Sequence, residues 1–395
     1  MARIFVTGMG VISAIGEGLA ANQESLVNQN CGIGKADFLN SRWAGLLPFG
    51  EIKISTPELS ERLRAKESGI TRTSLLALHA FEEAVEDAHW SLNQIADSET
   101  ALVGATTVGG MCLTNELYRD ANQDQEGSAY LSSYDYASVA VYLQERFGLA
   151  GIVNTFNTAC SSSANSIMYG ARLIRNGFAK RVIAGGVDSL AKFTINGFNA
   201  LHILSGEPCA PFDRDRKGLN LGEGAAFLVL EKEEDIRGRK VYAELSGYGN
   251  ANDAYHPSSL SAAGEGPYLA MKQALETAGI PETGIDFINA HGTATENNDE
   301  VESRAMIRLF GKPPAFASSK GNIGHTLGAA GAIEAVYSIL SLVSGDLYPN
   351  LRFTHPIPET DLRPVSSLQK TRIERVMSNS FGFGGNCSSL IFSKA

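Results

Sequence analysis

Four short segments of the chain place reactive side chains where an apolar run gives way to a loop or a helix. In Asn157-Thr-Ala-Cys160-Ser-Ser-Ser-Ala, a cysteine stands between the β-like run 151–156 and a helical run of small residues. Free N–H groups and the positive end of a helix dipole favour thiolate there, so Cys160 is a nucleophile candidate whose thiol is expected to be acidified. In Asn289-Ala-His291-Gly-Thr-Ala-Thr295, a histidine follows the apolar run 285–288, at a strand end where α/β layers carry catalytic groups. In Ser319-Lys320-Gly-Asn-Ile-Gly-His325, a lysine and a second histidine lie five residues apart, just before another small-residue helix. Histidines so placed can donate hydrogen bonds to a developing oxyanion. No metal site is expected, because the histidine pair lacks a third ligand at helical spacing. Finally, Asn379-Ser-Phe381-Gly-Phe383-Gly-Gly385 is a glycine-rich loop with two aromatics, able to offer N–H groups to an oxyanion and to hinge an aromatic gate. Nothing after it reads as a helix with Lys-Ser/Thr, so it is not a phosphate loop.

These groups must be positioned by alternating elements. Apolar β-rich runs at 3–6, 101–103 and 181–184 are separated by helical patterns at 74–88 and 164–174, which indicates α/β layering. The chain also resembles itself in order. Residues 78–88 (LHAFEEAVEDA) parallel 269–278 (LAMKQALETA), and each is followed by a strand ending in small residues. A small-residue helix then follows in each half, at 159–177 and 324–345, and each half closes with a Gly-x-Gly turn into an apolar strand. Matches in the same order favour a duplicated α/β unit, with halves 1–239 and 240–395 packed back to back about one central site. The charged stretch 231–240, just before the strand at 241–245, reads as a solvated surface helix at the seam.

Composition bounds the function. The chain has 395 residues, 44% apolar and 19% charged, which describes a well-buried enzyme-sized body and excludes a disordered or coiled-coil protein. A net charge of -10 leaves no basic excess for nucleic acid, so an acidic partner must meet a local basic patch. The N-terminus lacks a basic region followed by an apolar run, and the expected compartment is the cytoplasm. The apolar window 327–345 carries Glu334 and many Gly and Ala residues, so it reads as a buried helix and no membrane span is expected. Five scattered cysteines with no CxxC pair suggest neither a disulfide framework nor zinc.

The combination of motifs resembles the elongating β-ketoacyl-acyl-carrier-protein synthases, nearly from end to end. That resemblance implies the thiolase fold, a duplicated five-layer αβαβα architecture, and a homodimer. It implies a 3-oxoacyl-[acyl-carrier-protein] synthase of fatty-acid elongation, with substrates carried on the phosphopantetheine of an acyl carrier protein and no cofactor of its own. Cys160 then takes the acyl chain as a thioester, and His291 and His325 stabilise the enolate formed as malonyl carrier protein loses carbon dioxide. Lys320 and Glu302 form an ion pair that orders the histidines. The N–H groups of Cys160 and Phe383 make the oxyanion hole, with Phe383 as gate and Phe381 beside it. Thr293 and Thr295 contact the pantetheine arm, and Phe198 and Val108 line the acyl pocket. Arg62, Arg64 and Lys66, clustered on a surface helix, and His202 near the pocket mouth are the expected carrier contacts.

The chain also departs from that pattern. Thr295-Glu-Asn-Asn-Asp299 replaces the usual Thr-Pro-x-Gly-Asp, His202 stands where an Arg is common, and Lys320-Gly-Asn-Ile-Gly-His325 is closer to polyketide ketosynthases. The alternative is therefore a specialised polyene or polyketide pathway, with a heterodimer partner resembling a chain-length factor. A degradative thiolase would lack Asn-Ala-His291, a starter-type enzyme would carry Asn for one histidine, and a silent partner subunit would lack Cys160.

Overall fold

The computed structural model of the chain describes residues 2–123, 127–236 and 238–395. Its first half supplies strands β1 (Ile4–Ser13), β2 (Thr100–Ala105), β3 (Val153–Phe156), β4 (Arg181–Asp188) and β5 (Gly224–Lys232). The second supplies β6 (Ala243–Asn252), β7 (Phe287–Asn289), β8 (Ala315–Ala317), β9 (Arg375–Phe381) and β10 (Asn386–Ser393). Hydrogen bonding orders them β8-β7-β9-β10-β6-β1-β5-β4-β2-β3, with the short strand Gly16–Glu17 added beside β1. Read outward from the β6–β1 junction, each half repeats one order: first, fifth, fourth, second, third. Strand senses repeat too. β2 runs parallel to β3 and β4, and β5 antiparallel to β4 and β1. β7 runs parallel to β8 and β9, and β10 antiparallel to β9 and β6. The junction itself holds only two residue pairs, Phe5 with Glu244 and Val6 with Ala243.

Helices α1 (Arg72–Asp87), α2 (Ser162–Arg175), α3 (Glu265–Ala278), α4 (Glu296–Phe310) and α5 (Ala330–Ser344) complete the layers. α1 packs on β1 and β5, α3 on β6 and β10, and α4 against α3, which covers the outer faces. α2 packs on β4 and β2, α5 on β9 and β5, and the two helices pack on each other in the middle, each touching strands of both halves. The result is the αβαβα sandwich of the thiolase fold. Central helices must be apolar on every side, and α5 is: 89% of Leu327–Ser344 lies inside the protein, so a stretch apolar enough to cross a membrane serves as core. The two central helices cross at Gly331, where a Cβ would lie 2.6 Å from the Ala164 backbone nitrogen. Side chains alternate across each sheet as the pleat requires. Val182 joins the cluster between the sheets, while its neighbour Ile183 joins the cluster beneath α1.

One expectation is corrected here. The charged stretch 231–240 is not a single solvated helix, because Glu231 lies within β5 at 1% exposure and accepts from Thr7 Oγ1 and Arg239 Nη2, each at 2.6 Å. Only Glu233–Ile236 turns helical, and residue 237 lies outside the described residues. Strand pairing outweighed local charge, since a buried carboxylate with a guanidinium and a hydroxyl is satisfied.

Candidate active site

The parallel strands of both halves point their C-terminal ends at one cavity of about 460 Å³. Loops leaving those ends carry the reactive groups, as crossover geometry favours. β3 stops at Phe156 and α2 starts at Ser162, so residues 157–161 make a tight corner. Ala159 sits at φ +53°, a left-handed position that strains a side-chain-bearing residue. The corner is held by Ser162 Oγ, which accepts from the Thr158 N–H at 2.9 Å and donates to the Ala159 carbonyl at 2.5 Å. Cys160 is thereby aimed into the cavity at 5% exposure. Its thiol is not acidified as the sequence suggests. Burial pushes it up to about 11, while the N–H groups of Phe383 and of Cys160 itself and the Lys320 charge pull the other way. Desolvation of the thiolate wins over the helix end, and the resting group is a thiol.

His291 and His325 face Cys160 from the loops after β7 and β8. Their rings meet edge to face with centroids 5.3 Å apart. Donor atoms of all three residues lie within 4.8 Å of one another, a distance that would also suit a metal. Hydrogen bonding argues for another use. The Leu327 N–H donates to His325 Nδ1 at 3.2 Å, and Lys320 Nζ lies 3.3 Å from His291 Nδ1. An ammonium only donates, so each Nδ1 accepts and each Nε2 carries the proton. His325 Nε2 is buried with no partner among the described residues. Burial, followed by the nearby Lys320 charge, holds both imidazoles well below their ordinary range. Two neutral N–H donors converge on the cavity, which suits a developing oxyanion.

Lys320 is 1% exposed, and Nζ donates to the His291 carbonyl at 2.6 Å. Its carboxylate partner is Glu334, one turn into α5, and not Glu302. Glu302, on α4, accepts instead from the N–H groups of His291 at 2.9 Å and Gly292 at 2.8 Å. Both acids serve the same histidine loop, one through the lysine and one through the backbone. Burial raises each to about 7, countered at Glu334 by Lys320 and at Glu302 by those N–H donors. Sequence carried a signal for Glu334: a lone carboxylate in an apolar helix needs a counter-charge. Asp188, at the end of β4, had no such signal. It takes the Gly328 N–H at 2.6 Å and the Val108 N–H at 2.8 Å, tying the His325 loop to the first half.

The cavity wall collects most of the other expected groups. Thr293 and Thr295 line it with hydroxyls 2.9 Å apart. Phe383 lies over Phe198 with ring planes 15° apart, and Phe381 packs against His291. Gly384, beyond Phe383, is left-handed at φ +81° and exposed. His202 lines the mouth. Val108 does not line the cavity; it is buried in the apolar cluster that backs Phe198. Nor do Arg62, Arg64 and Lys66. They share no helix, since the helix Thr56–Arg62 ends before the other two, and Arg62 is already paired with Glu17 and Glu58. The N-cap and Pro57 support only a short helix, and the chain turns left-handed at Arg64.

Comparison with known proteins gives the same pattern. Residues 1–236 match the family model described as beta-ketoacyl synthase, N-terminal domain, and residues 242–354 the one described as beta-ketoacyl synthase, C-terminal domain. The chain is 34% identical to 3-oxoacyl-[acyl-carrier-protein] synthase 2 of Rhizobium meliloti, with 99% of this chain and 98% of that protein covered. It is 33% identical to the mitochondrial 3-oxoacyl-[acyl-carrier-protein] synthase of Arabidopsis thaliana, covering 99% and 93%. Among solved structures, the ishigamide ketosynthase/chain length factor superposes with a TM-score of 0.93 at 28% identity, covering 100% and 99%.

The buried thiol makes a direct prediction. Only thiolate reacts with iodoacetamide, and a thiol near 11 is ionised to about one part in ten thousand at pH 7. With the exposed Cys31 replaced by Ser, alkylation of Cys160 read by peptide mass should rise about tenfold per pH unit from 7 to 10. A plateau near pH 7 would show an acidified nucleophile instead.

Proposed function

The chain belongs to the beta-ketoacyl synthase family, and from that premise we propose how its residues divide the reaction of a 3-oxoacyl-[acyl-carrier-protein] synthase. This is a condensing acyltransferase of fatty-acid synthesis. The observation that carries the division is the buried triangle of Cys160, His291 and His325, with two N–H donors from the histidines and two from the backbone. Cys160 sulfur attacks the carbonyl of an acyl thioester, with the N–H groups of Cys160 and Phe383 holding the oxyanion. A C–S bond forms to Cys160, and the carrier's pantetheine sulfur leaves with the proton the thiol gave up. One difficult condensation thus becomes two steps.

Malonyl carrier protein then enters along Thr293 and Thr295. Its carboxylate leaves as carbon dioxide, the C–C electron pair passes into the enolate, and the enolate oxygen sits between the Nε2–H groups of His291 and His325. The enolate carbon attacks the acyl carbonyl, the Cys160 C–S bond breaks, and the thiolate takes up a proton. Lys320, Glu334 and Glu302 act as positioning groups. The acyl chain lies toward Phe198, and Phe383 swings on the Gly384 hinge to admit it.

For the carrier protein, Arg64 and Lys66 are the better docking candidates, because neither has a carboxylate partner among the described residues. Exposed charges steer encounter and are screened by salt. A division into 1–239 and 240–395 is supported by the repeated strand order. A homodimer is supported by β3, an edge strand with half-exposed side chains and, among the described residues, an unpaired outer side.

The likeness to a ketosynthase/chain length factor structure favours a second reading: a polyene or polyketide ketosynthase whose edge meets a related, silent subunit. The mass and turnover of the protein purified alone separate the two.

Two outcomes test the residue roles. Cys160→Gln should abolish condensation while malonyl decarboxylation stays measurable, whereas His325→Ala should lower decarboxylation by about 10²- to 10³-fold and leave acylation of Cys160 largely intact. Carbon dioxide release and acyl-enzyme mass, followed separately, read both; condensation by Cys160→Gln would remove it as nucleophile. For docking, Arg64→Glu with Lys66→Glu should raise KM for carrier-bound substrate several-fold, and added salt should do the same to the unaltered protein. A KM indifferent to both would exclude the patch.

A further inference from the structure

The N–H groups of Cys160 and Phe383 come from loops of different halves, yet must address one oxygen. Their spacing needs a brace. The loops touch backbone to backbone: a Cβ on Gly382 would lie 2.7 Å from the Thr158 carbonyl and 3.2 Å from the Cys160 nitrogen. Contact sets a minimum separation, and hydrogen bonds must fix it.

Those bonds converge on Asn386, the first residue of β10. Its carbonyl accepts the Gly382 N–H at 2.8 Å and so closes the Phe383 loop. Its side-chain Oδ1 accepts three donors: Ser161 Oγ at 2.7 Å, Asn165 Nδ2 at 2.8 Å and Asn250 Nδ2 at 2.9 Å. Ser161 directly follows the nucleophile, Asn165 lies in the first turn of α2, and Asn250 lies on β6. Asn165 Nδ2 also reaches Thr158 Oγ1 at 2.8 Å, and its Oδ1 takes Ser388 Oγ at 2.6 Å. None of these side chains has a buried polar atom left without a partner. A part-buried network whose buried polar atoms are all paired is held in one arrangement, whereas one missing acceptor leaves several donors without it together.

We infer that Asn386 is a positioning residue for the acylation half-reaction, setting the distance between the two backbone donors through its triply bonded Oδ1. This rests on the proposed function. Among the described residues no hydrogen bond of the network reaches His291 or His325, so the network braces the backbone donors of acylation and not the histidine donors of decarboxylation. A general structural role would affect both half-reactions alike, and a positioning role only one.

The test uses full-length protein with acyl and malonyl carrier proteins. Asn386→Leu, close in size but without the acceptor, should lower the rate of Cys160 acylation at saturating acyl carrier protein roughly 10- to 100-fold. KM for acyl carrier protein and the rate of malonyl decarboxylation should stay within about twofold of the unaltered enzyme. Ser161→Ala removes one of the three donors and should give a smaller loss in the same half-reaction only; it carries the test if the Leu variant does not fold. Acylation at the original rate, or a parallel fall in both half-reactions, overturns the inference. An unaltered enzyme that neither acylates nor decarboxylates overturns the functional reading, and this inference with it.

Discussion

A lysine and a carboxyl group, Lys320 and Glu334, pair at 1% exposure each in a largely apolar interior. Taking such a pair out of water is costly, and removing one partner typically destabilises by about 3–5 kcal/mol. The surrounding structure must therefore be built around it. α5 supplies Glu334 from the apolar central layer, and the loop after β8 supplies Lys320. The lysine then spends its remaining donors on the carbonyl and Nδ1 of His291. One buried ammonium thus sets the tautomer of a histidine on another loop, and with it the direction of the Nε2–H toward the cavity.

The duplicated fold explains why a single cavity can be furnished so fully. Each half ends its parallel strands near the pseudo-symmetric centre, and the halves have specialised. The loop after β3 carries Cys160, while its counterpart after β8 carries Lys320 and His325. The loop after β7 carries His291, while its counterpart after β2 carries the Thr106–Val108 backbone that grips Asp188. Cross-braces between halves follow from this arrangement, because a site split over two sheets is only as precise as the contacts joining their loops.

Much of this was legible in the chain itself. Strand-end placement of Cys160, His291 and His325 followed from apolar runs broken by Gly, Ala and Thr, and the duplication from motifs repeated in order. Partner choice was not legible. Glu302 and Glu334 are both buried acids near the same loop, and periodicity cannot say which one meets an ammonium and which meets backbone N–H groups; that depends on how α4 and α5 approach the strand ends. The thiol's acidity was misread for a similar reason. A helix start is visible in sequence, but the depth of burial that overrides it is not. Arg62 alone leaves the basic cluster, because its partner Glu17 lies far back in the chain, on a strand pairing with β1.

The most direct measurement is the intact mass of the protein after exposure to a panel of acyl carrier proteins. The account predicts one added acyl mass per chain, carried by the Cys160 peptide, that disappears when malonyl carrier protein is supplied, as the lengthened 3-oxoacyl thioester appears on the carrier. An acyl group found on another residue, or one on Cys160 that malonyl carrier protein does not discharge, would contradict it.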